Sequence, residues 1–182
     1  NKPAAWTDVQ AALKPGEYAV EIIRTDFYAK GQWTDSIYYT ALIVDKTGKA
    51  PQFLMLKSGR QLETKNSPAY RIAMKGRQDD LQSYDAFWSP LKRYLAKATR
   101  VYFSADGVYQ QINLYTLKNP VTKEYLIDEI NISLVTNTRD ILQRRPVVAS
   151  KKAAIFSFPD YGSSPVTEET AMRWTGFPVL DE

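Results

Sequence analysis

The chain has no histidine and no cysteine. The first absence removes the side chain whose unperturbed pKa lies nearest neutrality, and with it the usual general base. The second removes the strongest nucleophile and excludes disulfide staples. Together they take away the two best transition-metal ligands. No Ser-His-Asp or Cys-His machine can be assembled from these residues alone. Glycine is scarce, with eight residues, and no Walker-type phosphate loop occurs. No run of eighteen or so apolar residues is present, as a membrane-crossing helix would require. The net charge is only +4, from 24 basic and 20 acidic residues. The basic residues are scattered apart from pairs at Lys92-Arg93, Arg144-Arg145 and Lys151-Lys152. A nucleic-acid groove needs a concentrated basic stripe, so the composition does not point to one.

What is present is enough for a core. Of the 182 residues, 44% are hydrophobic and 13% aromatic, which excludes a disordered tail. Trp6 to Leu13 predicts a short helix with Thr7 as N-cap and Asp8 in its first turn, stopped by Lys14-Pro15-Gly16. Tyr18 to Arg24 predicts a strand with Tyr18, Val20 and Ile22 on one face. Ser36 to Val44 is a second strand, Asp45 to Gly48 a turn, and Gln52 to Lys57 a third strand. Consecutive strands with short polar turns predict an antiparallel meander. Ser58 to Gly76, with Pro68 inside it, is a connection or an exposed helix. Asp79 to Ala98 is the clearest helix, with Leu81, Tyr84, Trp88, Leu91 and Leu95 spaced by threes and fours. At Pro90 it kinks or a second helix begins at Ser89-Pro90.

The grammar then changes. Arg100 to Ser104 predicts a short strand ended by Ala105-Asp106-Gly107, and Ile112 to Leu117 a brief extended piece. Ile130 to Val135 is a strand, after which Asn137 and Asp140 approximate a capping box opening a helix through Ile141 and Leu142. Ala153 to Phe158 is an apolar run of the kind a doubly buried strand shows, followed by the loop Pro159 to Pro165 and a helix from Thr167 to Trp174. Strands alternating with helices predict a parallel or mixed sheet, so the fold class is α/β with an antiparallel unit in front.

Five segments, in consistent order, resemble the CHAT domain, a caspase-like module usually found downstream of tetratricopeptide repeats in bacterial proteins. They are WTDVQAALKPGEYAVEII (Trp6 to Ile23), YYTALIV (Tyr38 to Val44), FWSPLKRYLAKATRVYFSADGVYQQINLYTL (Phe87 to Leu117), YLIDEINISLVTNTRDIL (Tyr125 to Leu142) and AAIFSFPDYG (Ala153 to Gly162, with Phe158 where the family has Asn). The likeness covers nearly the whole chain. It implies a caspase-like mixed sheet with flanking helices, divided into an entry helix with antiparallel strands over 1–76 and an α/β half over 77–182. It also implies a cysteine endopeptidase whose catalytic His and Cys lie beyond Glu182, so that this chain is the amino-terminal portion and inactive by itself. No cofactor is implied. The implied partners are the rest of the same domain, upstream helical repeats and a protein substrate, in the cytoplasm. A non-catalytic scaffold that only binds partners is the alternative.

In open α/β sheets ligands bind beyond the carboxyl ends of the parallel strands. Three loops there contain an Asp, which makes Asp106, Arg139 and Asp160 the candidates for a substrate cleft, with Arg139 or Asp160 meeting a charged side chain. The plainer roles stand beside this. Asp106 makes a tight turn, Asp140 caps a helix, and Asp160 hydrogen-bonds its own loop, as Asp commonly does. Chance pairs of carboxylates raise no glycosidase signal, and Asp79-Asp80 suit a helix start better than a Mg²⁺ site. An apolar strand at Ala153 to Phe158 would need a neighbour along its edge, so the isolated chain is expected to dimerise or aggregate.

Overall fold

Strand-forming residues at alternating positions need a partner on each side. In the computed structural model, which describes residues 4–56 and 58–143, five strands satisfy one another in a single sheet. The strands are β1 (Glu17–Ala29), β2 (Gln32–Asp45), β3 (Gln52–Leu56), β4 (Arg100–Ser104) and β5 (Asn131–Val135). Their spatial order is β3-β2-β1-β4-β5. The first three pair antiparallel, while β1 with β4 and β4 with β5 run parallel. The sheet is therefore mixed and the class is α/β. β1 joins the two regimes, with Tyr18 opposite Asp45 on one side and Val101 on the other.

The period of two in β1 divides the molecule into two apolar layers. Val20 and Ile22 face the larger core with Tyr39, Ala41, Ile43, Leu54, Val101, Phe103 and Ile132. That face is covered by the crossover between β3 and β4, which contributes Leu62, Tyr70, Tyr84, Phe87, Trp88 and Leu91. Ala19, Val44 and Tyr102 face the other way, against Val9 of α1 (Trp6–Ala12), Leu13 just after it, and Ile141. Gln10 Nε2 holds α1 to the β2 turn by donating to the Asp45 and Gly48 carbonyls at 2.9 and 2.7 Å.

Several local expectations shift. Both long strands run further than Arg24 and Ser36 suggest. They meet at Lys30-Gly31, whose φ of 51° and 81° are the paired positive values a two-residue type I′ hairpin turn demands. β4 reaches only Glu21 of β1, and β3 only Tyr39 of β2, so the distal hairpin arms pair solely with each other. Edge-on aromatic contacts, Phe27–Tyr38 at 5.5 Å and Tyr28–Trp33 at 5.1 Å, take the place of core burial there. Alternation of buried residues is the signal for a strand, and these arms lack it. The cap of α1 is Ala5, not Thr7, because Asp8 reaches back to accept the Ala5 N–H at 2.9 Å.

The Ser58 to Gly76 segment is helical throughout. α2 (Gly59–Gln61) passes through a π-helical turn over Leu62–Asn66 into α3 (Ser67–Gly76). Pro68 falls in the first turn of α3, where its missing N–H costs least. Gly59 is required by close approach, since a Cβ there would lie 2.2 Å from the Ile37 carbonyl oxygen. Of the two readings at Pro90 the second holds: a new helix begins at Ser89, so the stretch carries α4 (Gln82–Phe87) and α5 (Ser89–Lys92), with the break at Trp88 and Pro90 in the first turn of α5. Tyr84, Trp88, Leu91 and Leu95 are buried as their spacing predicts, while Leu81 is only half-buried. Asp80 caps α4 by accepting from the Gln82 and Ser83 amides at 3.0 Å each. Asp79 instead pairs with Lys118 at 2.9 Å.

Ile112 to Leu117 is extended only at its ends, Ile112, Asn113 and Leu117. Asn113 Oδ1 accepts the Tyr115 N–H and folds Leu114–Thr116 into a 3-10 turn, with Leu114 and Leu117 buried. α6 (Leu126–Glu129) then leads into β5, and the expected helix after it is a 3-10 turn over Thr138–Gln143. The expected capping box is present there: Asn137 N–H donates to Asp140 Oδ2 at 3.1 Å, and Asn137 Oδ1 accepts from Arg139 at 3.0 Å. The strand at Ala153 to Phe158, its loop and the helix at Thr167 to Trp174 lie outside the described residues. No helix among the described residues is long and apolar enough to cross a membrane.

Candidate functional site

β1, β4 and β5 point the same way, and the downstream ends of β4 and β5 form a rim where they lie level with Glu21, midway along β1. Glu21 stands at its centre. The residue is in register with Ser104, which is in register with Val135. It shares the α1 side of β1 with Ala19, an odd place for a carboxylate, and three donors answer it. Ser104 Oγ donates to Oε1 at 2.7 Å, the Thr138 N–H donates to Oε2 at 3.0 Å, and Asn137 Nδ2 approaches Oε1 at 3.4 Å. One acid therefore fixes the turn after β5 against β1 and β4. Buried or half-buried carboxylates persist where such bonds offset their lost hydration. Glu17, two repeats earlier on the same face, is held in the same way at the start of the strand, accepting from Tyr102 Oη at 3.0 Å and the Lys14 N–H at 2.8 Å.

Arg139 lies on this rim, exposed, and lines a cavity of about 360 Å³ with Glu21, Asn137, Trp6, Val9 and Leu42. Asp106 belongs to a different constellation on the opposite face. Its Oδ2 accepts the Arg24 N–H at 2.9 Å and its Oδ1 the Gly107 N–H at 2.7 Å. One oxygen therefore shapes the turn and the other ties it to β1. The sheet places Asp106 and Arg139 at neighbouring strand ends but does not join their side chains. Asp160 lies outside the described residues.

Beside the Asp106 turn sits a half-buried polar network. Arg24 Nε donates to Glu63 Oε1 at 2.6 Å and Arg24 Nη1 to Asp26 Oδ2 at 2.8 Å. Tyr39, fully buried, donates its hydroxyl to Glu63 Oε1 at 2.9 Å and accepts the Val108 N–H at 2.9 Å. Burial, reinforced by the Glu63 carboxylate, pushes the Tyr39 phenol up to about 12. The Glu63 and Asp26 carboxylates hold the Arg24 guanidinium even more firmly protonated. Gly107 has φ +55°, and a Cβ there would lie 2.1 Å from Tyr39 Oη. Only glycine lets the loop close over the phenol.

A second network, behind the core, centres on Glu129. It accepts from Tyr84 Oη at 2.7 Å and from Asn119 Nδ2, with Lys92 Nζ at 3.5 Å. Burial pushes the Glu129 carboxyl up, but those hydrogen bonds and the Lys92 charge outweigh it and leave the carboxyl below its ordinary range. These shifts move groups away from neutrality. They mark structural networks and supply no acid–base catalyst near pH 7. Among the described residues no three acidic side chains converge as a metal ion would need.

The residues that tie this rim together, Glu21, Arg24, Tyr39 and Glu63, were not singled out by motif or spacing. The available signal was register, because Glu17 and Glu21 alternate with core positions of β1 and a charge there requires a partner. No protein-family model matches the chain, and no curated protein does.

Proposed function

We propose that this chain is the amino-terminal portion of a caspase-like cysteine endopeptidase of the CHAT type, which cleaves a protein target once the complete domain is assembled. The observation that carries the proposal is the sheet itself. An antiparallel unit, β1 to β3, precedes parallel strands β4 and β5, whose downstream ends are gathered on one rim by Glu21. It agrees with the order implied by the four resembling segments that fall among the described residues, and it supplies the side of an α/β sheet on which ligands bind. The chain's own residues bring the scaffold: Glu21 sets the loop after β5, and Asp106 and Gly107 set the loop after β4.

The chemistry must come from other polypeptide, since neither His nor Cys is present here. In the assembled domain a histidine would deprotonate or ion-pair with a cysteine thiol, the thiolate would attack the scissile carbonyl, and backbone amides would hold the oxyanion. Upstream helical repeats would carry the activating signal, and the setting would be the cytoplasm.

The test begins with the polypeptide that completes the domain. It should contain a strand ending in His-Gly and then a strand ending in Cys. Incubated with a candidate protein target, the assembled protein should cleave it, and the Cys→Ala variant should not. Cleavage that survives the Cys→Ala change eliminates the peptidase. Absence of the two strands leaves the non-catalytic scaffold.

A further inference from the structure

Among the described residues β3 has β2 on one side and no strand on the other. A strand with a single neighbour directs alternate N–H and C=O groups outward. No further backbone group among the described residues bonds to them. At the opposite edge, by contrast, the Tyr115 hydroxyl donates to the Ile132 carbonyl of β5. Exposed edges are ordinarily blunted by a charge, a proline or a bulge within the strand. The sequence of β3, QFLML, has neither charge nor proline, and its register with β2 is regular. Leu54 and Leu56 face the core and are buried. Phe53 and Met55 face the side that carries Glu21 and are 61% and 53% exposed. A groove of about 640 Å³ opens beside the same edge, between β3 and the α4–α5 pair. Asp85 and Arg93 are the charged residues lining it. Both are exposed, and neither belongs to an ion pair among the described residues.

We propose that the β3 edge pairs with the β3 edge of a second copy of this chain, antiparallel about Leu54, so that two sheets join into one across a twofold axis. The strand's own sequence argues for a copy of itself. Antiparallel pairing about Leu54 sets Leu54 against Leu54, and Phe53 of each copy against Met55 of the other. Directly opposed residues lie on one face of a sheet. The two exposed apolar side chains of each copy therefore cover those of the other, in the ring-to-thioether contact that Phe and Met favour. The charges agree with the same occupant. One acid and one base leave the groove neutral as a whole, so two copies do not repel. The twofold axis sets the Asp85 side of one groove toward the Arg93 side of the other, and an isologous contact makes both pairings together. A strongly acidic or basic partner would meet one of the two as a like charge. The contact closes on itself and stops at the dimer. A five-residue ladder is a small interface, so the dimer depends on concentration. The inference stands on the β3 edge and not on proteolysis, so association and cleavage can fail separately.

The test is sedimentation equilibrium of the 182-residue chain over a dilution series. The chain should pass from monomer to dimer as its concentration rises. Phe53→Lys with Met55→Lys puts like charges opposite each other and should weaken the dimer about tenfold or more. Phe53→Lys with Met55→Glu puts opposite charges there and should restore most of the loss. Ile72→Lys, at a residue of α3 that is 69% exposed and away from the edge, should have no effect. All these positions are exposed, and thermal melts confirm that each variant is folded. The absence of cysteine allows a check on register. A mixture of Phe53→Cys and Met55→Cys chains should form an intermolecular disulfide faster than either variant alone, because only the mixed pair brings the two sulfurs directly opposite. A chain that stays monomeric overturns the inference. So does a dimer indifferent to the paired lysines, which would lie along another surface. A Lys–Glu variant as weak as the Lys–Lys one, or cross-linking no faster in the mixture, overturns the register about Leu54.

Discussion

Gly107→Ala tests the central claim about the rim, that the loop after β4 closes on the Tyr39 hydroxyl. The substitution places a methyl 2.1 Å from Tyr39 Oη and 2.8 Å from Arg24 Cδ, in a residue with φ +55°. The left-handed conformation costs a non-glycine residue about 1–2 kcal/mol. The phenol cannot move aside freely, because its oxygen is held by the Val108 N–H and the Glu63 carboxylate, both at 2.9 Å. Displacing it leaves a buried amide unpaired, for about 1–3 kcal/mol. Gly107→Ala should therefore lose about 2–5 kcal/mol, or a fall in Tm of about 4–20 °C for a body of this size. Tyr39→Phe alone forfeits the same hydrogen bonds and should cost about 2–3 kcal/mol. In the double variant the methyl no longer meets the hydroxyl, so the two losses should be less than additive by about 1–2 kcal/mol. Urea denaturation monitored by circular dichroism measures all three. Additivity within about 0.5 kcal/mol would refute the contact and with it the account of why glycine stands there.

Gly59→Ala and Gly31→Ala separate collision from conformational strain. At Gly59 a Cβ meets the Ile37 carbonyl at 2.2 Å, an obstacle of backbone that cannot rotate away, and the loss should be about 3 kcal/mol or more. At Gly31 nothing lies within 4 Å, so only the positive φ is paid, at about 1–2 kcal/mol; equal losses in chemical denaturation would contradict the close approach at Gly59. For Glu129 the prediction is a pH dependence. Its carboxyl is depressed in the folded state, so its contribution is complete above the unfolded value of about 4.3 and drains away as the pH falls through the folded value. The stability difference between wild type and Glu129→Gln should be flat near neutrality and shrink in acid. A difference that grows in acid would reverse the sign of the interaction.

Much of this architecture is written locally. The alternation Tyr18-Val20-Ile22, the β-forming run around Tyr39 and the polar turn at Asp45 to Gly48 suffice to place an antiparallel unit, because each depends on residues only a few positions apart. The same holds for the short strand at Arg100 to Ser104 and for the Asn137–Asp140 cap, whose bonds span three residues. Local rules misplace an element where the deciding contact is not periodic. The distal hairpin is held by cross-strand aromatic pairs rather than by core burial. The left-handed pair Lys30-Gly31 is a turn signal only once both arms are known to be strands.

What the amino acids determined by themselves was the class of the sheet, the buried stripe Tyr84, Trp88, Leu91 and Leu95, and the absence of any His- or Cys-based catalyst within this chain. The rim was decided only in three dimensions. Glu21 meets Thr138 from 117 positions away, Arg24 meets Asp106 from 82, and Val108 meets Tyr39 from 69. A carboxylate in a strand carries no mark of which donors will face it. That depends on the order in which strands lie side by side, and strand order is settled by the packing of whole layers, which no window of neighbouring residues contains.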